Sequence, residues 1–171
     1  MSFLHSKIKE YILPDDYVLD IGFGSGRELK YLKTLTKNIY GVDPTDEFIK
    51  NIKKDNFFQN KIFKGRLPDL DLPTDLKYDV VISIAVMMHL SKKYHKDALL
   101  AIKKNMKNNG YFIVSYSTQK REDERFFESM NYVEFGDLCK FLNFKEIYCS
   151  FNSDSLNRDF KWVVQIFKKL D

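Results

Sequence analysis

The residues with the most chemical potential lie in Val18-Leu-Asp-Ile-Gly-Phe-Gly-Ser-Gly-Arg-Glu-Leu-Lys-Tyr-Leu32, followed by Ile39-Tyr-Gly-Val-Asp43. The first run reads as an apolar strand, a turn with glycine at Gly22, Gly24 and Gly26, and the start of a helix. Glycine has no Cβ and tolerates positive φ, so such a turn lets main chain come close to a ligand. The helix that follows offers unpaired N–H groups and the positive end of its dipole. Asp43 ends the neighbouring strand, within reach of a ribose diol. The expected occupant is a cofactor that contains a nucleoside.

The spacing narrows the choice of cofactor. A dinucleotide fingerprint needs a third glycine where Arg27 stands, which makes a nicotinamide-dependent oxidoreductase improbable. Two residues before Gly22 comes an acid, Asp20. A carboxylate there repels a pyrophosphate and attracts an ammonium or sulfonium cation.

With Val18-Leu-Asp20 before the glycines and Gly41-Val-Asp43 after them, the segment resembles motif I of the class I S-adenosylmethionine-dependent methyltransferases, (V/I)LD(I/L)GxGxG(R). The resemblance implies S-adenosylmethionine as cofactor. It also implies that Asp20, Gly22, Gly24 and Gly26 hold the methionine portion and that Asp43, followed by Pro44, binds the ribose. Asp43 also reads as a turn residue before Pro44. Arg27 has two readings of equal weight, a clasp on the cofactor's carboxylate or a salt bridge on the helix surface. Where the family commonly has Gly-Asp for the adenine amine, this chain has Gly65-Arg66. Arginine accepts no hydrogen bond, although it can stack on the ring, so backbone contacts from Arg66 and Leu67 are expected instead.

A second resemblance covers Ser83-Ile-Ala-Val-Met-Met-His-Leu90, which is similar to the family's (S/A)-N-A-V-L-H-H-L segment beside the transferable methyl group. Ile84 replaces the usual Asn and Met88 the first His, while His89 remains. His89 is the candidate general base, suited to a hydroxyl or thiol nucleophile; its plainer reading is a helix-entry residue that packs locally. No Asn-Pro-Pro-Tyr or Asp-Pro-Pro-Tyr run is present, which argues against methylation of an exocyclic base amine. His5 and His95 are expected at the surface. Arg125-Phe-Phe and Tyr132, with Asp154-Ser-Leu-Asn-Arg158 and Trp162, resemble the substrate-side loops of small bacterial methyltransferases. Asp154 and Arg158 either brace that loop against each other or contact substrate, bracing being the favoured reading, and Trp162 is expected to lie in the core.

The elements that position these residues alternate along the chain. The pattern predicts a helix over 3–11 and strands over 17–21 and 38–42, with a helix over 25–36 between them. A helix capped by Thr45 runs to about Lys54, and strands follow at 60–64 and 78–83. The next helix, 93–106, is ended by Asn108-Asn-Gly110, with a strand over 111–116 after it. Residues 117–125 are polar and aperiodic, the best candidate for a mobile lid. Then come a helix over 133–142, a strand over 144–150, a loop over 152–159 and a strand over 161–167. The order implies an α/β fold, a doubly wound Rossmann-like sheet with helices on both faces. The closing hairpin makes one edge strand antiparallel. The family's arrangement has seven strands with the last inserted antiparallel.

The 171 residues suffice for one domain with its own core, and an apolar fraction of 44% fits a globular chain. Against 24 acids stand 28 bases, dispersed rather than clustered in sequence, so no nucleic-acid platform is indicated. Cys139 and Cys149 lack metal-ligand spacing and read as free thiols of a cytoplasmic protein; no metal site is expected. No signal peptide or membrane-spanning run is visible. The expected partner is a small-molecule acceptor, with neither nucleic acid nor membrane, and an oligomer remains open. The rival class is a non-catalytic binding module on the same fold.

Overall fold

The computed structural model describes residues 3–70, 72, 75–119, 126–153 and 161–171. Seven strands form one sheet: β1 (Tyr17–Ile21), β2 (Asn38–Asp43), β3 (Ile62–Lys64), β4 (Tyr78–Ile84), β5 (Met106–Ser117), β6 (Phe144–Ser153) and β7 (Lys161–Lys169). Their order across the sheet is β3-β2-β1-β4-β5-β7-β6. The first five are parallel, and β7 runs antiparallel to both neighbours. The helices are α1 (Phe3–Lys9), α2 (Arg27–Leu32), α3 (Asp46–Ile52), α4 (His95–Asn105) and α5 (Tyr132–Phe141).

Alternation along the strands divides the core between two layers. Val18, Ile39, Val80, Ile82, Ile113 and Ile166 point to one face, where Ile8 of α1, Leu29 and Leu32 of α2 and Ile52 of α3 cover them. Leu19, Ile21, Val42, Val81, Phe112 and Phe167 point to the other. There they meet Ala98, Leu99 and Ile102 of α4, and Phe135 and Cys139 of α5. Both faces of the sheet are therefore buried, which explains the unbroken apolar run of β4. No helix in the described residues is long and apolar enough to cross a membrane. Cys139 and Cys149 are free thiols.

Several local expectations need correction. The antiparallel strand is not at an edge, since β7 lies between β5 and β6. Its Val163–Phe167 run is buried on both faces and requires an interior position, while β6 carries exposed Lys145, Glu146 and Ile147. The register of β6 also slips between Glu146 and Tyr148, an irregularity suited to an unpaired edge.

Asn108-Asn-Gly110 does not cap α4. The helix stops at Asn105 and β5 begins at once, with pairing that jumps from Tyr78↔Met106 to Val80↔Tyr111. The left-handed residue, Asn109 (φ 62°), lies inside that irregularity. Shorter than its pattern, α2 starts only after left-handed Gly26 and ends at Leu32. Thr45 does occupy the N-cap of α3, but its side chain makes no capping bond. Trp162 is half-buried against the α4–α5 layer. Ser117, the start of the expected lid, closes β5 and is fully buried. Residues 120–125 and 154–160, with Arg125, Asp154 and Arg158, lie outside the described residues.

Candidate active site

Strand order reverses between β1 and β4, the switch point beyond whose carboxyl ends open α/β sheets take their ligands. The turn after β1 lies at this switch point. Gly22 (φ 72°) donates its N–H to Val42 O at 2.7 Å, which folds the turn back over the tip of β2. A Cβ at Gly22 would lie 2.4 Å from Val86 Cγ2, so the turn after β4 packs directly on the glycine turn. At Gly24 (φ 52°) a Cβ would meet nothing within 4 Å. The main chain there borders open space, as a ligand cradle requires.

Asp43 is 4% exposed at the end of β2. Its Oδ2 accepts the Gly24 N–H at 2.9 Å and its Oδ1 the Thr45 N–H at 2.8 Å. Both the turn reading and the ligand reading use this geometry, because each carboxylate oxygen keeps a further lone pair. Pro44, next to it, is exposed.

Asp20 is 1% exposed, and its Oδ2 is buried without a hydrogen-bond partner. Burial chiefly, then the charges of Glu28 and Asp43, push its carboxyl well above the usual range. Glu28, buried in the first turn of α2, is the residue that pattern reading overlooks. It takes the guanidinium of Arg27, with Nη2 at 2.7 Å and Nε at 2.8 Å from the same oxygen. Arg27 is thus engaged on the helix surface. His5 Nε2 lies 3.8 Å from Glu28, and the His5 ring stacks on Tyr31 at 4.0 Å. Its imidazole is half-buried rather than at the surface, and burial lowers its pKa.

Ser83, at the end of β4, is fully buried and its Oγ has no partner. Ala85, two residues on, has φ 60°, a strained conformation that turns the chain sharply after the strand. A 3-10 turn over Met87–His89 follows. His89 is half-buried, and its Nδ1 lies 2.9 Å from Phe126 O. Met88 is buried, its sulfur accepting the Ser117 N–H at 3.3 Å, a packing role rather than a catalytic one. His95 is 5% exposed, contrary to the surface expectation. Its Nε2 faces Leu90 O at 2.9 Å and Met87 O at 3.2 Å, so His95 staples the turn that carries His89.

Beyond β3, Arg66 is exposed and Leu67 buried. The Arg66 N–H is used by Asp69 O at 3.2 Å within the local turn. The structure therefore gathers Asp20, Gly22, Gly24, Asp43, Ser83 and the Met87–His89 turn at one end of the sheet.

Residues 19–114 match the methyltransferase-domain family, and the chain belongs to it. An uncharacterized methyltransferase of Staphylococcus carnosus is 26% identical over 133 residues, 77% of this chain and 56% of that protein. The chain thus spans about half the length of that relative. Among solved structures, an S-adenosylmethionine-dependent methyltransferase of Methanosarcina mazei superposes with a TM-score of 0.79 at 17% identity, covering 96% of this chain and 97% of that one. The YcgJ protein of Bacillus subtilis gives 0.76 at 15% identity, covering 98% of each chain. At these identities the likeness is one of fold.

Proposed function

We propose that this chain binds S-adenosylmethionine in the crevice beyond β1, β2 and β4 and transfers its methyl group to an oxygen, nitrogen or sulfur nucleophile of a small molecule. The observation that carries the reading is the buried, unpartnered Oδ2 of Asp20, flanked by Glu28 and Asp43. Three carboxyl groups gathered there, with Glu28 paired to the exposed Arg27, are unfavourable together and complementary to a cationic ligand.

When bound, the cofactor supplies a methyl group activated by its sulfonium charge. Asp20 holds the ammonium end through charge-assisted hydrogen bonds. Gly22 and Gly24 let main chain line the cradle, Gly26 makes room for Ile52 of α3 where the turn enters α2, and the free lone pairs of Asp43, beside Pro44, accept the ribose hydroxyls. Ser83 Oγ, the Arg66 carbonyl and the backbone of Leu67 complete the polar lining, the Arg66 N–H being held by Asp69 O. The turn after β4 brings His89 to the acceptor side as the candidate base, and close alignment of nucleophile and methyl carries much of the rate. The two free thiols suit a reducing compartment, and the cytoplasm is the proposed location.

Titration calorimetry tests this directly. Heat is expected with S-adenosylmethionine and with its demethylated product, and none with NAD. No heat with either adenosyl ligand overturns the proposal.

A further inference from the structure

The segment after the undescribed residues 120–125 lies strapped across the turn that carries His89. Phe126 O meets His89 Nδ1 at 2.9 Å, and Glu128 donates its backbone N–H to Met88 O at 2.7 Å. In turn the Glu128 Oε2 accepts the Lys92 N–H at 2.9 Å. Phe127, 7% exposed, sets its ring edge-on to the His89 imidazole at 5.4 Å, the two planes at 90°. The imidazole is held in the plane of its hydrogen bond and against an aromatic wall. From the other side, His95 fixes the carbonyls of Met87 and Leu90.

These contacts carry chemical information. A carbonyl oxygen only accepts, so the Phe126 contact requires the proton on Nδ1. In the neutral ring the lone pair then resides on Nε2. Three residues before His89, Val86 touches the glycine turn, and the His89 N–H closes on Val86 O at 2.8 Å. The backbone of His89 therefore stands one short turn from the cradle. Phe126, 56% exposed, adds an apolar face beside it.

We propose that the strap over residues 126–130 is a positioning device that locks neutral His89 in its Nδ1-protonated tautomer, presenting Nε2 to take the proton of a hydroxyl or thiol acceptor. The inference rests on the methyl-transfer reading and narrows its acceptor class. A free amine already offers a lone pair, whereas an alcohol, phenol or thiol gains most as a nucleophile by losing its proton. Nε2 takes that proton and becomes N–H. The electron pair so freed bonds the methyl carbon as the carbon–sulfur bond of the donor breaks, and that bond's pair stays on sulfur. Glu128 acts here as a positioning residue.

Long-range proton–nitrogen correlation spectra of the full chain labelled at histidine nitrogen decide the matter without cofactor. The chain has 3 histidines, and His89 is assigned by the signal lost in His89→Asn. The expected wild-type spectrum above the imidazole titration range shows a pyrrole-type Nδ1 and a pyridine-type Nε2. Glu128→Ala, which frees the Lys92 N–H, is expected to give a mixture of tautomers. Glu128→Gln keeps an accepting oxygen and is expected to restore the single form. A pyrrole-type Nε2 in the wild type, or a Glu128→Ala spectrum identical to it, overturns the proposal. Methyl transfer to thiophenol or phenol probes supports the acceptor class, and transfer to aniline alone sinks it. Cofactor binding by calorimetry is a separate readout, so failure of this inference and failure of the methyl-transfer reading are told apart.

Discussion

Val86 occupies the space that a side chain at Gly22 would need, its Cγ2 only 2.4 Å from that side chain's Cβ position. Two loops from different strands thus interlock at the mouth of the crevice, one bearing the cradle and the other leading to His89. Gly22→Ala combines a left-handed alanine with this overlap and is expected to lower stability by about 2–4 kcal/mol. Val86→Ala in the same chain removes the overlap and recovers part of that loss, while the φ cost stays. Gly24→Ala meets no neighbour, so it costs only about 1–2 kcal/mol in stability. Its methyl group enters the open cradle, and cofactor affinity is expected to fall more than stability does. Urea melts with parallel calorimetry separate the two cases.

Asp43 joins the turn and ligand roles in one carboxylate. Asp43→Ala leaves the N–H groups of Gly24 and Thr45 without their acceptor and removes the ribose partner. Cofactor affinity is expected to fall about 10- to 100-fold, the worth of charged hydrogen bonds. Reduced stability with wild-type affinity would place the ribose elsewhere and leave Asp43 as a turn residue only.

Asp20 sets stability against binding. Its native carboxyl, raised by burial and then by Glu28 and Asp43, keeps its proton to a higher pH than in the unfolded chain. That contribution to stability is complete below the unfolded value of about 3.9 and is lost as pH rises through the raised native value. Asp20→Asn has no charge to desolvate, so the cofactor-free variant is expected to melt higher than wild type at pH 8. Each kcal/mol gained shifts Tm by about 2–4 °C at this size. The same change removes the counter-charge for the cationic ligand, and affinity drops. Binding favours the ionised carboxylate, so at any pH where the free protein holds the Asp20 proton, binding releases it. Calorimetry in buffers of different ionisation enthalpy, run across a pH series, follows that release; an unaltered affinity in the asparagine variant contradicts the role.

The apolar runs of β1, β2 and β4 and the glycines between them are legible because spacing alone specifies them. Strand period, turn chemistry and the acid at each strand tip are local properties, and the structure brings Asp20, Gly22, Gly24 and Asp43 together as that spacing requires. What escapes pattern reading depends on partners distant in sequence. Glu28 looks like any first-turn acid until the fold sets it beside Asp20. The strap over 126–130 acts through backbone N–H and C=O groups, which residue type does not reveal. Asn108-Asn-Gly110 carries the chemistry of a helix stop, yet the neighbouring β4 offers sheet partners that draw this stretch into a strand. For His95 a signal exists: at helical spacing it shares a stripe with Ala98, Leu99 and Ile102, a buried face on which a polar ring needs a partner.

That partner is the turn after β4, and it yields a test that isolates structure from binding. His95→Ala takes the imidazole donor from the Leu90 carbonyl, leaves Met87 O with the Leu90 N–H at 3.1 Å, and removes the ring packed edge-on to Phe135 at 6.1 Å. A loss of roughly 1–3 kcal/mol is expected for the unsatisfied Leu90 acceptor, with a further loss from the vacated volume. His95→Gln, whose amide can donate to one of the two carbonyls, is expected to recover part of it. Because His95 acts through the Met87–His89 turn and not on the cradle of Gly22, Gly24 and Asp43, the affinity for S-adenosylmethionine should stay within about threefold of wild type, under 1 kcal/mol. Urea denaturation and calorimetry on the same preparations measure both quantities. An alanine variant as stable as wild type would show that the Leu90 carbonyl finds another donor, and the staple would lose its meaning.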